Sequence, residues 1–181
     1  VSVGTVKNLS SQYIYTHALQ GVDAHPGQIL VHSQKIKYQE REKGYRMNHI
    51  GTREIATERL TLRRFEIEDA ENMFYNWAND PEVTKYLTWP AHESVDTTET
   101  ILKEWISKYD EKDFYQWAIE LNDLEQPIGT ISAIKTDERV ESVEIGYCIG
   151  KRFWNNGYMT EALTAIIRFF INEVGAGRVW A

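Results

Sequence analysis

The chain has 181 residues, of which 42% are apolar and 26% charged, and its net charge is −7. This composition is typical of one globular domain with a hydrophobic core and excludes an intrinsically disordered chain. The single cysteine, Cys148, excludes an intrachain disulfide and a cysteine-cluster zinc site. No apolar run is long enough to span a bilayer. We therefore expect a cytoplasmic protein without a metal or membrane partner.

The charge is unevenly distributed along the chain. Residues 1–46 carry a net +3, which leaves −10 on residues 47–181. Such an acidic body repels phosphate backbones and tolerates cationic substrates, so we expect no nucleic-acid partner. Solubility is the alternative explanation, and it accounts for the charge by itself.

Residues 1–46 also differ from the rest in pattern. Short apolar clusters alternate there with polar residues without a sustained period, whereas periodicity becomes clear after Met47. Residues 42–44 can be encoded by a purine-rich run resembling a bacterial ribosome-binding site, two codons before Met47. We therefore predict an N-terminal extension, 1–46, upstream of the natural start of a domain, 47–181. The alternative is a genuine arm that packs on the domain or on a neighbouring chain.

The first elements after Met47 are one strand and two helical segments. Residues 58–65 alternate apolar and polar side chains, the pattern of a half-buried strand. Helical spacing follows, interrupted by Asp80–Pro81 before a shorter piece, 81–87. Another amphipathic helix is predicted between Ile101 and Tyr109.

Three strands are predicted next, at residues 114–121, 128–134 and 142–149, and the turn-rich NDLEQP between the first two indicates an antiparallel hairpin. The segment RFWNNGYMTEAL then leads into a helix that ends at Gly175, before RVWA begins a further strand. The predicted apolar face of this helix consists of Leu163, Ile166, Ile167, Phe170 and Val174.

The loop before that helix is a candidate anion site. The first backbone N–H groups of a helix lack internal partners, and Gly157 allows close approach of the backbone to a ligand. Thr160 and Glu161 in the first turn have structural roles, as a cap and as a partner of the helix dipole. One glycine before a helix is more often an ordinary turn, so the order of elements must supply the rest.

That order resembles the GCN5-related N-acetyltransferases (GNAT), and the wording ATERLTLRRFEIEDAENMF…EIGYCIG…WNNGYMTEAL resembles their RimJ/RimL branch over residues 53–181. The resemblance implies an α+β fold, an α/β three-layer arrangement of a mixed, mostly antiparallel sheet flanked by helices. It also implies a bacterial, acetyl-CoA-dependent N-acetyltransferase. The family fold continues past RVWA with a helix and two strands, so we expect this chain to lack those C-terminal elements and the tyrosine acid that the helix commonly carries.

The resemblance also implies a coenzyme site. In the family, this loop has the pattern Gln/Arg-x-x-Gly-x-Gly/Ala. Trp154, Gly157 and Met159 occupy its three defining positions in this chain, and Trp154 and Met159 differ from the family residues. Because backbone amides bind the diphosphate, the loop is still expected to bind the coenzyme, and the end of the preceding strand is expected to pair with the pantetheine arm. The implied coenzyme-binding residues are Tyr147, Cys148, Ile149, Trp154, Asn155, Asn156, Gly157, Tyr158, Met159 and Thr160.

The chemistry needs a base that takes the proton of the amine. Glu144 lies on the face of its strand shared with small and polar residues, and some relatives place a glutamate base on this strand, so Glu144 is the predicted base. An exposed carboxylate or a salt-bridge partner is the alternative reading. Cys148 has no histidine near it in sequence, so we reject covalent catalysis.

The acceptor is predicted to be a primary amine, with a protein N-terminus of the ribosomal type suggested by the branch. Trp89, in a loop between a threonine and a proline, is the candidate substrate contact. A catalytically inactive acyl-CoA binding module is the alternative function. The oligomeric state stays open, a dimer included.

Overall fold

The computed structural model describes residues 47–85 and 87–181. The predicted extension, 1–46, and Tyr86 lie outside the described residues, so the domain boundary at Met47 stays a prediction. Within the described part, no helix is long and apolar enough to cross a membrane.

A six-stranded sheet forms the centre of the domain. Its strands are β1 (Ile55–Ala56), β2 (Leu60–Arg63), β3 (Gln116–Leu121), β4 (Gln126–Asp137), β5 (Ser142–Ile149) and β6 (Arg178–Trp180). The α-helices are α1 (Ala70–Met73), α2 (Pro81–Thr84), α3 (Val95–Ser107) and α4 (Tyr158–Phe169). Short 3-10 turns occupy Ile67–Asp69 and Lys151–Phe153, and π-helical turns extend α1 over Phe74–Ala78 and α4 over Phe170–Val174.

The strands lie in sequence order across the sheet. Neighbours from β1 to β5 are antiparallel, and β6 pairs in parallel with β5, from Ser142 opposite Arg178 to Glu144 opposite Trp180. A parallel pair needs a crossover connection, which α4 and its π turn supply. The predicted mixed, mostly antiparallel sheet is confirmed, and β5 has the predicted bounds.

Hydrophobic clusters lie on both faces of the sheet, which gives the three layers. One cluster packs α4 and its π turn against inward residues of β2 to β5, and the other packs α1 and α3 around Trp77 and Cys148. Alternation along β5 assigns Val143 and Ile145 to the α4 face and Cys148 to the α1–α3 face.

The predicted apolar face of α4 is wrong at one position. Ile167 is 43% exposed, whereas Phe169, which the prediction omitted, is 2% exposed and packs in the core. The π turn that follows α4 places Phe170 and Val174 in the same core, so the buried stripe runs through Ile166, Phe169 and Phe170. Ala162, Ile166 and Phe169 keep the i, i+4, i+7 spacing of a regular α-helix, so the prediction chose the wrong one of two adjacent apolar faces.

Helix boundaries follow local capping. The Asp80 carboxylate accepts the Glu82 backbone N–H at 2.8 Å, with Pro81 in the first turn of α2, which confirms the predicted interruption. The Ser94 hydroxyl accepts the backbone N–H of Thr97 at 3.2 Å and starts α3. Gly175 ends the π turn after α4 with a left-handed φ of 83°, as its position predicted.

Candidate functional site

The loop between β5 and α4 has two residues in the left-handed region of backbone space. Asn155 has a φ of 62°, and Gly157, the N-cap of α4, has a φ of 79°. Asparagine and glycine are the residues that adopt this conformation at least cost. Residues 154–157 are exposed, so the loop presents its backbone to solvent at the end of the sheet.

Three carbonyl groups of the loop are held by side chains. Asn156 Nδ2 donates to the carbonyls of Phe153, at 3.2 Å, and Trp154, at 3.0 Å. Arg59 Nη1, from the turn between β1 and β2, donates to the Asn156 carbonyl at 3.0 Å. Because a carbonyl and the following N–H point in opposite directions across a trans peptide, these bonds turn the N–H groups of Asn155 and Gly157 away from the donors.

The backbone amides from Asn155 to Thr160 donate to no acceptor within residues 47–85 and 87–181. The first amide of α4 with an internal partner is that of Glu161, which donates to the Gly157 carbonyl at 3.0 Å. Consecutive amides of this kind, together with the positive end of the helix dipole, form an anion-binding concavity. The N-cap of α4 is Gly157, which has no side chain, and the predicted cap by the Thr160 hydroxyl is not present among the hydrogen bonds of the described residues.

Gly157 is required by its backbone angle rather than by crowding within the protein. A Cβ at this position would find one described atom within 4 Å, Arg59 Nη2 at 3.5 Å, which is an ordinary contact. The space beside Gly157 is therefore open apart from the Arg59 guanidinium. An L-amino acid here would be strained by the left-handed φ, and its Cβ would lie next to Arg59.

Thr57, Arg59 and Glu161 join the β1–β2 turn to the first turn of α4. The Glu161 carboxylate accepts from the Thr57 hydroxyl at 2.7 Å, from the Arg59 backbone at 2.9 Å and from Arg59 Nε at 2.7 Å. Burial opposes ionisation of this carboxyl, but these hydrogen bonds and the Arg59 charge outweigh it and lower its pKa. The carboxylate therefore fixes an arginine, a role beyond the predicted dipole partner.

The outer edge of β5 begins next to this loop. Gly150 donates its backbone N–H to the Ile128 carbonyl at 2.9 Å, so alternation directs the backbone groups of Tyr147 and Ile149 to the side opposite β4. The backbone of Cys148 faces β4 instead. Trp154, 41% exposed, donates its indole N–H to the Ile149 carbonyl at 2.8 Å, so one of the two residues that depart from the family pattern joins the loop to β5.

Cys148 is 8% exposed and packs in the α1–α3 cluster. Burial raises the pKa of its thiol to about 12, although a hydrogen bond with the Thr130 backbone acts in the opposite direction. The thiolate that a nucleophile requires is therefore scarce at neutral pH. This environment supports the rejection of an acyl-cysteine step.

Glu144 and Trp89 lie apart from the loop. Glu144 is half-buried in β5, five residues before Ile149, and its side chain forms no hydrogen bond or ion pair within the part of the chain that the structure describes. Gly146 lies on the same face, close to Ile134 at the irregular register of β4. Trp89 is half-buried and packs on the α1–α3 cluster, and its ring centre lies 5.0 Å from that of His92, with the two planes tilted by 42°. The structure thus brings the predicted loop residues together with Tyr147 and Ile149, and leaves the predicted base and substrate contact as predictions.

Arg59 and Thr57 belong to the site but were missed by sequence reasoning. They lie about a hundred positions from their loop partners, with separations of 97 for Arg59 to Asn156 and 104 for Thr57 to Glu161. No local pattern connects them, because the contact depends on the sheet placing the β1–β2 turn beside the start of α4.

Comparison with known proteins identifies the family. The model of the acetyltransferase (GNAT) domain matches residues 59–181. The chain belongs to the GNAT family. The uncharacterised N-acetyltransferase YoaA of Bacillus subtilis (strain 168) is 32% identical over 127 residues, which cover 70% of this chain and 71% of YoaA. The GNAT chain is accordingly an N-acetyltransferase.

Solved structures share the fold of this GNAT chain. A Vibrio cholerae protein described as a candidate ribosomal-protein-serine acetyltransferase has a TM-score of 0.64 at 22% identity, over 72% of this chain and 73% of that one. The microcin C7 self-immunity acetyltransferase MccE, solved with acetyl-CoA and AMP, has a TM-score of 0.57 at 19% identity, over 66% of each chain. At these identities the likeness establishes the fold alone.

Proposed function

We propose that this chain transfers the acetyl group of acetyl-CoA directly to a primary amine, and that the coenzyme diphosphate binds the backbone amides of Asn155 to Thr160. The observation that carries the proposal is that these amides have no acceptor within the described residues. A diphosphate supplies several anionic oxygens to such a group of donors. The likeness to MccE, solved with acetyl-CoA, supports the same coenzyme here.

The pantetheine arm, in this proposal, lies along the outer edge of β5. Tyr147 and Ile149 direct their backbone groups to this edge, next to the loop. The Trp154 indole already holds the Ile149 carbonyl, so the Tyr147 carbonyl and the two amides are the groups left for the amides and carbonyls of the arm. Pairing at a strand edge gives binding without side-chain specificity, as in other cases of strand addition.

The reaction joins the amine nitrogen to the acetyl carbon and breaks the thioester C–S bond, with the coenzyme leaving as its thiolate. Glu144 is proposed as the base that accepts the amine proton. Its carboxylate has no competing partner in the described residues, and it lies on β5 beyond the edge assigned to the arm. Direct transfer, without an acyl-enzyme, is supported by the buried thiol of Cys148.

The acceptor is proposed to be a protein N-terminus of the ribosomal type, in a RimJ/RimL-like enzyme. The likeness to the Vibrio cholerae protein supports this assignment, and the net charge of −10 on residues 47–181 favours a cationic acceptor. Trp89 is proposed as a contact of the acceptor, because its half-buried ring lies in the loop between α2 and α3.

The test uses the full chain with acetyl-CoA and matched peptides. One peptide has a free N-terminal serine, a second has the same sequence with a blocked N-terminus, and a third has a blocked N-terminus and one lysine. Free-thiol release with the first peptide alone supports the proposal, and release with the third alone contradicts the N-terminal acceptor. Calorimetric binding of coenzyme A without thiol release from any amine supports the alternative, a binding module.

A further inference from the structure

We infer that Arg59 is a positioning residue of the diphosphate cradle, the backbone amides of Asn155 to Thr160. Arg59 orients the Asn156–Gly157 peptide so that the Gly157 amide faces the ligand. The inference rests on the proposed function, because it assigns a role within the same site. Arg59 lies in the turn between β1 and β2 and donates from Nη1 to the Asn156 carbonyl at 3.0 Å. It belongs neither to the loop nor to α4.

The orientation of this peptide decides whether the cradle exists. With the Asn156 carbonyl held by Arg59, the Gly157 N–H points the opposite way, toward the open side of the loop. Rotation of the peptide by half a turn would place the carbonyl oxygen among the amides and present a partial negative charge to an anion. Glycine adopts several backbone conformations readily, so its own preference does not exclude that rotation.

The arginine is itself held by Glu161 and Tyr158, and Thr57 in turn holds the Glu161 carboxylate. Its Nε donates to Glu161 at 2.7 Å, its guanidinium carbon lies 4.6 Å from the centre of the Tyr158 ring, and Thr57 donates to the other oxygen of the same carboxylate at 2.7 Å. A planar guanidinium can serve the carboxylate and the carbonyl together, whereas the single nitrogen of a lysine cannot span both. This geometry explains the need for an arginine rather than for any cation.

A substitution of Glu161 distinguishes a positioning role of Arg59 from a simple electrostatic attraction of the diphosphate. Its carboxylate lies in the first turn of α4, near the proposed diphosphate, so its charge alone disfavours an anion there. If charge were the only factor, Glu161→Gln would strengthen coenzyme A binding. If its task is to hold Arg59, the same substitution weakens binding, since the guanidinium loses its anchor. The two explanations thus predict opposite signs for one variant.

The experiment measures dissociation constants for coenzyme A and for pantetheine, which lacks the diphosphate, by calorimetry on the full chain. The variants are Arg59→Lys, which keeps the charge, Glu161→Gln, and Arg53→Lys as a matched control for Arg59→Lys. Arg53 is also an exposed arginine that donates to a loop carbonyl, that of Ile50 at 3.3 Å, but outside the cradle. Thermal melts establish that each variant is folded.

For Arg59→Lys we expect coenzyme A to bind on the order of 10-fold more weakly, because one charge-assisted hydrogen bond to the diphosphate is lost. The affinity for pantetheine should be unchanged. Glu161→Gln should weaken coenzyme A binding several-fold, and Arg53→Lys should match the parent. Parental affinity in folded Arg59→Lys, or tighter binding by Glu161→Gln, would overturn the inference. Should Arg59→Lys fail to fold, Glu161→Gln decides alone. Absence of coenzyme A binding by the parent would instead refute the proposed function.

Discussion

Gly157 offers the sharpest test of the cradle, because its backbone strain and its ligand contact can be separated. The residue has a φ of 79° and a ψ of 0°, and a Cβ there meets nothing closer than Arg59 Nη2 at 3.5 Å. Gly157→Ala should therefore cost about 1–2 kcal/mol of folding free energy from the left-handed angle alone. For a chain of this size the melting temperature should fall by about 2–8 °C.

The same strain occurs at the other end of the helical segment, which provides a matched control. Gly175 has a φ of 83°, and a Cβ there meets no atom within 4 Å. Gly175→Ala should thus lose a similar amount of stability. Only Gly157→Ala should weaken coenzyme A, because only this position lies among the amides proposed to bind the diphosphate. Loss of one charge-assisted hydrogen bond is worth about 1.5–3 kcal/mol, so the dissociation constant should rise by about 10- to 150-fold.

Gly157→Asn separates the two effects further, since asparagine tolerates left-handed angles. Its melting temperature should stay close to that of the parent while coenzyme A binding is lost. Calorimetry with coenzyme A and pantetheine, beside thermal melts of the variants, measures both quantities. If Gly157→Asn is folded and binds coenzyme A as tightly as the parent, the amides of this loop do not hold the diphosphate.

Further variants test the chemistry assigned to β5 and to the acceptor loop. Glu144→Gln should lower turnover by about 10²–10⁴-fold with coenzyme affinity unchanged, and parental turnover across the pH range would show that Glu144 is not the base. At pH 8 the Cys148 thiol, with a pKa of about 12 against an ordinary 9.0, should react with a thiol reagent about a thousandfold more slowly than an exposed thiol. Loss of turnover in Cys148→Ala would contradict direct transfer. Since the pKa of this thiol is raised in the folded state, the stability that the buried thiol contributes should be complete below pH 9 and lost as the pH rises toward 12. Thermal melts would detect this as a difference in melting temperature between the parent and Cys148→Ala that becomes smaller as the pH rises. Trp89→Ala should raise the KM for the amine without changing coenzyme affinity, and a lower melting temperature with unchanged KM would assign Trp89 to packing alone.

Most of the fold could be predicted because its signals are local. Alternation along residues 142–149 marked β5 residue for residue, and Asp80–Pro81 marked the break between α1 and α2. The order of the elements indicated the family, and the family pattern indicated the position of the loop before α4. Such features depend on neighbours within a few positions, which a single sequence displays directly.

The remaining features depend on distant contacts or on a change of backbone geometry. Ile167 is exposed and Phe169 is buried, against the prediction, because packing against the sheet determines which of two adjacent apolar faces of α4 is buried. The left-handed φ of Asn155 is invisible in sequence, since asparagine has other conformations available. The clamp of Arg59 on the loop joins positions 97 residues apart, and only the assembled sheet brings them together.

The proposed site divides binding and chemistry between two parts of one strand-loop-helix unit, and this division determines how kinetic data should be interpreted. The proposed cradle consists of backbone amides after β5, so its perturbations should appear in coenzyme affinity. Glu144 lies five residues before the end of β5, about 17 Å along an extended strand from Ile149, too far to contact the loop directly. A change at Glu144 should then appear in kcat and its pH profile, whereas a change at Arg59 or Gly157 should appear in the coenzyme KM. A single variant that changed both kcat and the coenzyme KM would show that the loop and the strand are coupled. The hydrogen bond from the Trp154 indole to the Ile149 carbonyl is the contact that would transmit this coupling.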